Sequence, residues 1–273
     1  MALGGFEAAI RLVCFGSVLA LVMALEWALP RRAPLLRRRQ RWPGNIALVG
    51  IATVVVRLIV PVAAIGVAAS AETRGWGLLN RIALAPWAEI AIAVVMLDLV
   101  IYGQHVAFHA QPWLWRLHRT HHSDPDLDVT TALRFHPAEI LLSALVKLAA
   151  VAALGASPLA VLIFEILLNA TAMFNHGNIA LPPPIDAVLR RMLVTPDMHR
   201  VHHSIEACET NSNFGFNLPW WDWLFGTYRA QPAAGHQDMT IGLAVFRADR
   251  DQRIDQLLVQ PLRQGVMEGE DHG

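Results

Sequence analysis

The chain has 273 residues, 55% of them hydrophobic, and a formal net charge of zero at pH 7. The zero charge argues against a nucleic-acid-binding protein, and the mean hydropathy of +0.40 indicates lipid-facing surface rather than a soluble domain. The two cysteines, Cys14 and Cys208, are too few for an iron–sulfur cluster or a disulfide scaffold. What needs an explanation is the histidine content, 12 residues with ten of them between His105 and His203.

The first predicted element is a membrane span from Phe6 to Leu29, long enough to cross ~30 Å of hydrocarbon at ~1.5 Å per residue. A signal peptide is disfavoured because no basic cluster precedes the run and no small-x-small cleavage site precedes Pro30. Residues 31–41 follow and contain six arginines. The positive-inside rule therefore predicts that this loop is cytosolic and that the N-terminus lies outside.

Four further apolar runs follow in chain order, predicted as spans or hairpin helices: Ile46–Ala71, Ile82 to about Tyr102, Ala138–Gly155 and Pro158–Phe174. The last two form a helical hairpin interrupted at residues 155–158, so both ends of the hairpin lie on one side. All ten clustered histidines are then expected on the cytosolic face.

These elements predict an all-α, polytopic membrane protein with about four to five transmembrane or hairpin helices and a cytosolic, helical, histidine-rich metal-binding cap. Three regions are expected. Residues 1–91 hold the first spans and the arginine-rich loop, residues 92–228 form the metal domain, and residues 229–273 form a polar cytosolic tail.

Four ionisable residues fall at bilayer depth, where such side chains usually pair or line a functional cavity. Lys147 and Glu165 each lie nine residues from position 156, so the hairpin predicts that they form an ion pair. Arg57 and Asp98 lie at comparable depth and are a second candidate pair. Asp98 also lies two helical turns before His105, where it could instead hydrogen-bond a metal-ligating histidine.

The histidines fall into three motifs that suit shared metal ligation. His105 and His109 are spaced i, i+4, which places both imidazoles on one helical face. An HxxHH pattern then occurs twice, as His118, His121 and His122, and as His199, His202 and His203. On a helix the three histidines of such a pattern span an arc of about 100°, so the prediction is that they converge on one site.

Two single histidines inside the region, His136 and His176, are also predicted ligands, whereas His236 and His272 are interpreted as solvated surface. Imidazole-rich sites without thiolate suit iron, zinc, copper or nickel. Eight to ten ligands exceed the four of a structural zinc site and suit two ions with open positions.

The pattern resembles the fatty acid hydroxylase superfamily, also called the sterol desaturase family, over roughly Ile92 to Tyr228. The resemblance rests on the three histidine motifs, on the runs at residues 132–139 and 174–178, and on Asn213-Phe-Gly followed by the segment 221–228. It implies a membrane-bound, non-haem di-iron oxygenase that hydroxylates or desaturates a lipid, with two iron ions as cofactor and zinc as a substitute in purified protein. The substrate class stays open among fatty acyl chains, sterols or hopanoids, carotenoids and ether lipids.

Such an enzyme needs O2 and electrons, and the chain carries no cytochrome b5-like histidine pair or iron–sulfur carrier, so a separate ferredoxin or cytochrome donor is expected. Six basic residues near the site are interpreted either as a docking face for that donor or for lipid headgroups, or as interfacial arginines: Arg116, Arg119, Arg134, Arg190, Arg191 and Arg200.

Two acidic features accompany the motifs. The aromatic run at residues 220–225 is interpreted as an interfacial anchor, within which Asp222 is a candidate hydrogen-bond partner of a ligand histidine. Asp124, Asp126 and Asp128 are predicted to lie in a solvated loop.

Two alternatives of other classes remain. One is a zinc-dependent membrane hydrolase of a lipid ester or ether, which would need a carboxylate base near the metal; Glu139 is the nearest candidate. The other is a non-catalytic metal-binding membrane protein.

Overall fold

A computed structural model describes residues 6–60 and 62–264, and within these ranges the chain is helical, with two isolated β-bridges and no strand. The longer helices, numbered in chain order, are α1 Glu7–Ala28, α2 Arg38–Ile59, α3 Ala64–Arg74, α4 Pro86–Ala110, α5 Pro112–His122, α6 Pro137–Leu154, α7 Pro158–Asn175, α8 Pro183–Leu189 and α9 Pro196–His202. Four short helices follow: α10 Ala207–Thr210, α11 Trp220–Leu224, α12 Gly235–Asp238 and α13 Ile254–Val259.

Five helical segments are long and apolar enough to cross a membrane, which confirms the predicted all-helical, polytopic fold. The predicted run 46–71 falls within one candidate span but is divided between two helices, because α2 ends at Ile59 and α3 begins at Ala64. The residue that follows Val60 is a proline, and helices usually end before proline because its ring disfavours helical backbone at the preceding residue.

The hairpin of α6 and α7 is present as predicted. Gly155 ends α6 in the left-handed conformation at φ +68°, and the Ser157 hydroxyl caps α7 by accepting a hydrogen bond from the backbone N–H of Ala160. Lys147 and Glu165 form the predicted ion pair across the hairpin. Arg11 of α1 also reaches Glu165, at 2.5 Å.

Helix α7 is the centre of the bundle and packs against α1, α3 and α4, whereas α2 packs against α6. Small residues allow the close approach of these helices. Ala68 of α3, Ala93 of α4 and Ala160 of α7 are completely buried around Phe164.

The arginine-rich segment and the acidic loop join on the histidine side of the bundle. Arg41 is 0% exposed and binds Asp124 at 2.5 Å and Asp128 at 2.8 Å, while the backbone N–H groups of residues 35 and 36 donate to Asp126. The prediction of a solvated loop for these aspartates was therefore wrong. A buried arginine from a distant helix compensates their charge.

Residues 229–264, predicted as part of a polar tail, fold back over this side of the molecule. Leu257 is 0% exposed and packs against α2 beside Gly44, where an added Cβ would lie 2.3 Å from the carbonyl oxygen of Gln252. His236 is also buried, 3.5 Å from a carboxylate oxygen of Asp197, so its interpretation as solvated surface was wrong. His272 lies outside the described residues.

Candidate metal centre

Nine of the ten predicted ligand histidines come together in two adjacent groups, each with its ligand atoms within 4.8 Å of one another. The five-histidine group contains His105, His109, His118, His122 and His202, and the four-histidine group contains His121, His176, His199 and His203. The C-terminal turns of α4 and α5, the end of α7 and the helix α9 supply these side chains.

Each HxxHH motif is divided between the two groups, which corrects the expectation that its three histidines converge on one site. His118 and His122 are spaced i, i+4 and share the five-histidine group, while His121 faces the other group. In α9 the i, i+4 pair His199 and His203 belongs to the four-histidine group instead. On a helix, the residue four positions on lies about 40° from the first, and the residue three positions on lies about 60° from it in the opposite direction. The two adjacent rings of each motif therefore point about 100° apart and can enter different groups.

Imidazole nitrogens within each group approach one another as ligands of a common ion would. The Nε2 atom of His176 lies 3.0 Å from Nε2 of His121 and 3.1 Å from Nε2 of His199. Nitrogens bound to one ion at ~2.1 Å and at a right angle to each other are about 3 Å apart. These nitrogen–nitrogen distances therefore suit a metal better than a chain of histidine hydrogen bonds.

Three histidines of the two groups are held in a defined tautomer by backbone carbonyls. At 2.7–2.8 Å, Nδ1–H groups donate from His105 to Phe214, from His202 to Ser212 and from His176 to Ala172. A carbonyl can only accept, so Nδ1 carries the proton and Nε2 keeps its lone pair for a metal.

A carboxylate fixes a fourth histidine. Glu139, in the first turn of α6, accepts a hydrogen bond from Nδ1 of His118 at 2.7 Å, and both side chains are buried. Such carboxylate–histidine contacts orient the ring and raise the basicity of the ligating nitrogen.

Burial keeps the imidazoles neutral, which is the form that binds metals. It holds the pKa values of His121, His199 and His203 well below the usual range of histidine, and the neighbouring imidazoles lower them further. Buried nitrogens of His122, His202 and His203 also have no hydrogen-bond partner within the described residues. Since an unpaired buried nitrogen is costly, the donor set fits one metal ion in each group.

His136 lies outside both groups. Its Nε2 contacts the carbonyl oxygen of Leu258 at 3.1 Å, and its Nδ1 accepts a hydrogen bond from the backbone N–H of Ala138 at the start of α6. Both ring nitrogens are therefore engaged in positioning α6 and the C-terminal segment.

The two predicted supporting aspartates contact a loop rather than a histidine. Asp222 accepts from the backbone N–H groups of Phe214 and Gly215, both at 2.8 Å, and burial raises its pKa to about 6. Asp98 accepts from the backbone N–H groups of Asn217 and Leu218, at 3.3 and 3.2 Å, and from the indole N–H of Trp221 at 2.9 Å. It does not contact Arg57, so the candidate pair of Arg57 with Asp98 was wrong.

The loop that these aspartates hold, residues 212–218, includes the Asn213-Phe-Gly run that supports the family resemblance, but its role in orienting histidines was not predicted from the sequence. It supplies the carbonyl oxygens of Ser212 and Phe214, which orient two histidines. Asn213 adopts φ +51° within it, and its amide donates to Met198 of α9 at 2.9 Å. The left-handed preference of asparagine was the available signal.

Five of the six arginines considered for docking are engaged by the chain's own acceptors. Arg116 and Arg119 donate to carbonyl groups of residues 260–263, while Arg134 donates to Thr120 and Gln252. Arg190 pairs with Asp186 and Arg200 with Asp197. Because these arginines bind acceptors within the chain, they do not form an open docking face.

Together, the bundle of apolar helices and the divided HxxHH motifs define a membrane protein with a two-group histidine metal centre. The family model described as fatty acid hydroxylase matches residues 90–227, and the chain belongs to that family. The matched region contains all nine clustered histidines.

The curated relatives are lipid-modifying enzymes. The chain is 32% identical over 155 residues to ornithine lipid hydroxylase OlsE of Rhizobium tropici, a match that covers 56% of this chain and 45% of that protein. It is 28% identical over 152 residues to human alkylglycerol monooxygenase, covering 54% and 32% of the two chains. Cholesterol 25-hydroxylase of Rattus norvegicus is 24% identical over 147 residues, covering 53% and 48%.

Each of these matches spans less than half of the relative's own length. No solved structure is significantly similar to the chain.

Proposed function

We propose that the chain is a membrane-bound, non-haem di-iron lipid hydroxylase whose nine clustered histidines hold two iron ions. The observation that carries this proposal is the pair of adjacent groups of five and four imidazoles, buried among apolar helices. Nitrogen-rich sites without thiolate suit iron, and the number of ligands exceeds what a closed structural site uses.

When bound, iron supplies the activation of O2 and the removal of hydrogen from an unactivated C–H bond, which side chains alone cannot perform. In the overall reaction one oxygen atom of O2 enters the C–H bond. The other oxygen is reduced to water by two electrons from a separate ferredoxin or cytochrome donor and two protons from the solvent.

The chain's own contribution is to orient the ligands and to exclude water. The carbonyls of Ser212 and Phe214 and the carboxylate of Glu139 hold three Nδ1–H groups, which leaves Nε2 of each ring toward the ion. Aromatic rings cover the two groups. Phe135 stacks on His121 with ring centroids 4.2 Å apart, and Trp115 lies 4.9 Å from His109. These aromatic rings cover the outer surfaces of the two imidazoles and keep the surroundings of the site apolar.

The hydrolase alternative loses its candidate base. Glu139 is buried and already accepts the proton of His118, so it is not free to activate a metal-bound water. Within the described residues, neither histidine group includes a carboxylate. This donor set favours redox chemistry over ester hydrolysis.

A lipid substrate is supported by the names of the relatives, which act on ornithine lipids, alkylglycerols and cholesterol. All three are named as hydroxylases or monooxygenases, so hydroxylation is favoured over desaturation. The arginine-rich segment 31–41 lies on the histidine side, where Arg31 binds Asp197 at 3.0 Å and Arg41 binds Asp124. With the positive-inside rule, this contact supports a cytosolic site and an external N-terminus.

The test is metal analysis followed by an oxygen-labelling assay. Detergent-purified protein should contain about two irons per chain, and with a reductant and isotopically heavy O2 it should add one heavy oxygen atom to a lipid of the host membrane. His203→Ala is expected to abolish the incorporation, whereas His136→Ala retains it. Zinc alone after growth with excess iron, or product oxygen that comes from water, would overturn the proposal.

A further inference from the structure

A second polar feature lies among the membrane helices, away from the histidine groups. A cavity of about 810 Å³ opens between α1, the C-terminal end of α2, the start of α3 and the hairpin helices α6 and α7. This volume is within the usual range for a small-molecule site. Apolar side chains line much of it, including Leu12, Phe15, Val56, Val60, Leu148 and Ile166.

Five ionisable side chains also line this cavity, with one positive charge in excess. The basic residues are Arg11, Arg57 and Lys147, and the acidic residues are Glu7 and Glu165. Arg11 and Lys147 are compensated, because Arg11 binds Glu7 at 2.9 Å and both cations contact Glu165.

Arg57 is the basic group without a carboxylate. It lies in the last turn of α2, and among residues 6–60 and 62–264 no acidic side chain or other acceptor binds its guanidinium. Asp98, which was predicted at a membrane depth comparable to that of Arg57, instead accepts a hydrogen bond from Trp221. Arg57 is exposed at the end of α2 and lines the cavity, so its charge is free to take an anionic partner from outside the chain.

We infer that this cavity binds the anionic group of an acidic lipid, with Arg57 as its principal ligand. The guanidinium matches a phosphate or a carboxylate through paired N–H donors. The apolar walls match an acyl chain, which a free inorganic anion does not have. The inference does not depend on the proposed hydroxylase activity, because no histidine of the metal centre lines the cavity.

The experiment measures lipid binding in a zwitterionic detergent, by native mass spectrometry and by the thermal unfolding midpoint. The probes are phosphatidylglycerol and oleate, with phosphatidylcholine and inorganic phosphate as the comparison compounds. We expect both acidic lipids to bind about tenfold more tightly than phosphatidylcholine, as the loss or gain of a hydrogen bond to a charged group implies. Inorganic phosphate is expected to have no effect at matched concentration.

Two variants test the residue. Arg57→Gln should remove the preference for acidic lipids, and Arg57→Lys should retain part of it because the charge remains. Arg81→Gln is the matched control, since Arg81 is an exposed arginine that does not line the cavity. Unchanged metal content of Arg57→Gln establishes that the variant is folded. An undiminished preference in Arg57→Gln, an equal response to phosphatidylcholine or an equal response to inorganic phosphate would each overturn the inference.

Discussion

Glu139 is the carboxylate that reaches a clustered histidine directly, through Nδ1 of His118. Its position in the first turn of α6 joins the metal centre to the hairpin, so the orientation of one imidazole depends on the placement of a membrane helix. The other oriented rings rely on backbone carbonyls, which substitutions cannot remove. Glu139 is therefore the residue where the orientation of a ligand can be tested by mutation.

Glu139→Ala is expected to lower metal affinity or activity by about 10- to 100-fold, because His118 loses its hydrogen-bond acceptor. Glu139→Gln keeps an acceptor oxygen and should lose less. Metal content after dialysis against a graded series of chelator concentrations measures the difference. Equal retention by Glu139→Ala and the wild-type protein would contradict the assigned role.

His136 and His199 provide a second comparison at this scale. His199→Ala removes one of the four imidazoles from its group and should lower the iron content well below about two per chain. His136→Ala should keep the wild-type content and cost about 1 kcal/mol of stability, since it removes a cap of α6. Elemental analysis and thermal unfolding of both variants test this pair, and loss of metal from His136→Ala would show that the ring does ligate.

At the scale of elements, the hairpin turn is locked by a backbone contact with the segment that leaves α3. The N–H of Leu78 donates to the carbonyl of Ala153 at 3.0 Å. Gly77, at φ +89°, is so close to the turn that an added Cβ would lie 2.2 Å from the backbone nitrogen of Gly155. The contact involves main-chain atoms on both sides. A change of side-chain conformation therefore cannot relieve the clash that a larger residue at position 77 would cause.

Gly77→Ala is accordingly predicted to destabilise the protein by at least about 2 kcal/mol, through left-handed strain and the backbone clash. Gly16→Ala is the matched control, because Gly16 lies in α1 with open space around its Cα. Thermal unfolding in detergent should separate the two variants. Similar midpoints for both would mean that the turn can shift to accommodate a methyl group.

Sequence reasoning succeeded where the signal is local. The break at Gly155–Pro158 correctly predicted the hairpin. Lys147 and Glu165 lie the same number of residues from that break, and this correctly predicted their ion pair. The histidine spacings identified the ligand candidates, but they did not predict that the histidines of α5 and α9 are divided between two groups. The partner of Arg41 is 83 residues away along the chain, and no local pattern connects that arginine to Asp124. Likewise, a carbonyl such as that of Phe214 carries no side-chain signature.

At the scale of the whole molecule, the C-terminal segment holds the histidine-bearing helices against the membrane bundle. Gln252 accepts a hydrogen bond from the buried Arg134 at 2.8 Å, and Arg119 donates to the carbonyl of Gln260 at 2.6 Å. Leu257 is buried against α2, which also carries Arg41. The segment thus connects a span, the acidic loop and α5.

Leu257→Ala is expected to cost roughly 2–4 kcal/mol through the cavity that it leaves against α2. The control is Leu262→Ala, since Leu262 is 80% exposed and its loss should change stability by less than about 0.5 kcal/mol. Thermal unfolding with metal bound measures both, and limited proteolysis shows whether the C-terminal segment detaches first. A stable Leu257→Ala protein with an intact C-terminal segment would contradict this role.

The division of each HxxHH motif between the two groups has a consequence for how the ions are acquired. His121 and His122 are adjacent in the sequence yet belong to different histidine groups, and the same is true of His202 and His203. An ion bound in one group would therefore also hold the turns that present ligands for the other group, and a second ion would meet ligands already in place. Loading is expected to be cooperative, with chains carrying a single ion scarce during a titration. Cooperativity of this kind is expected because both groups are built on the same two turns of helix.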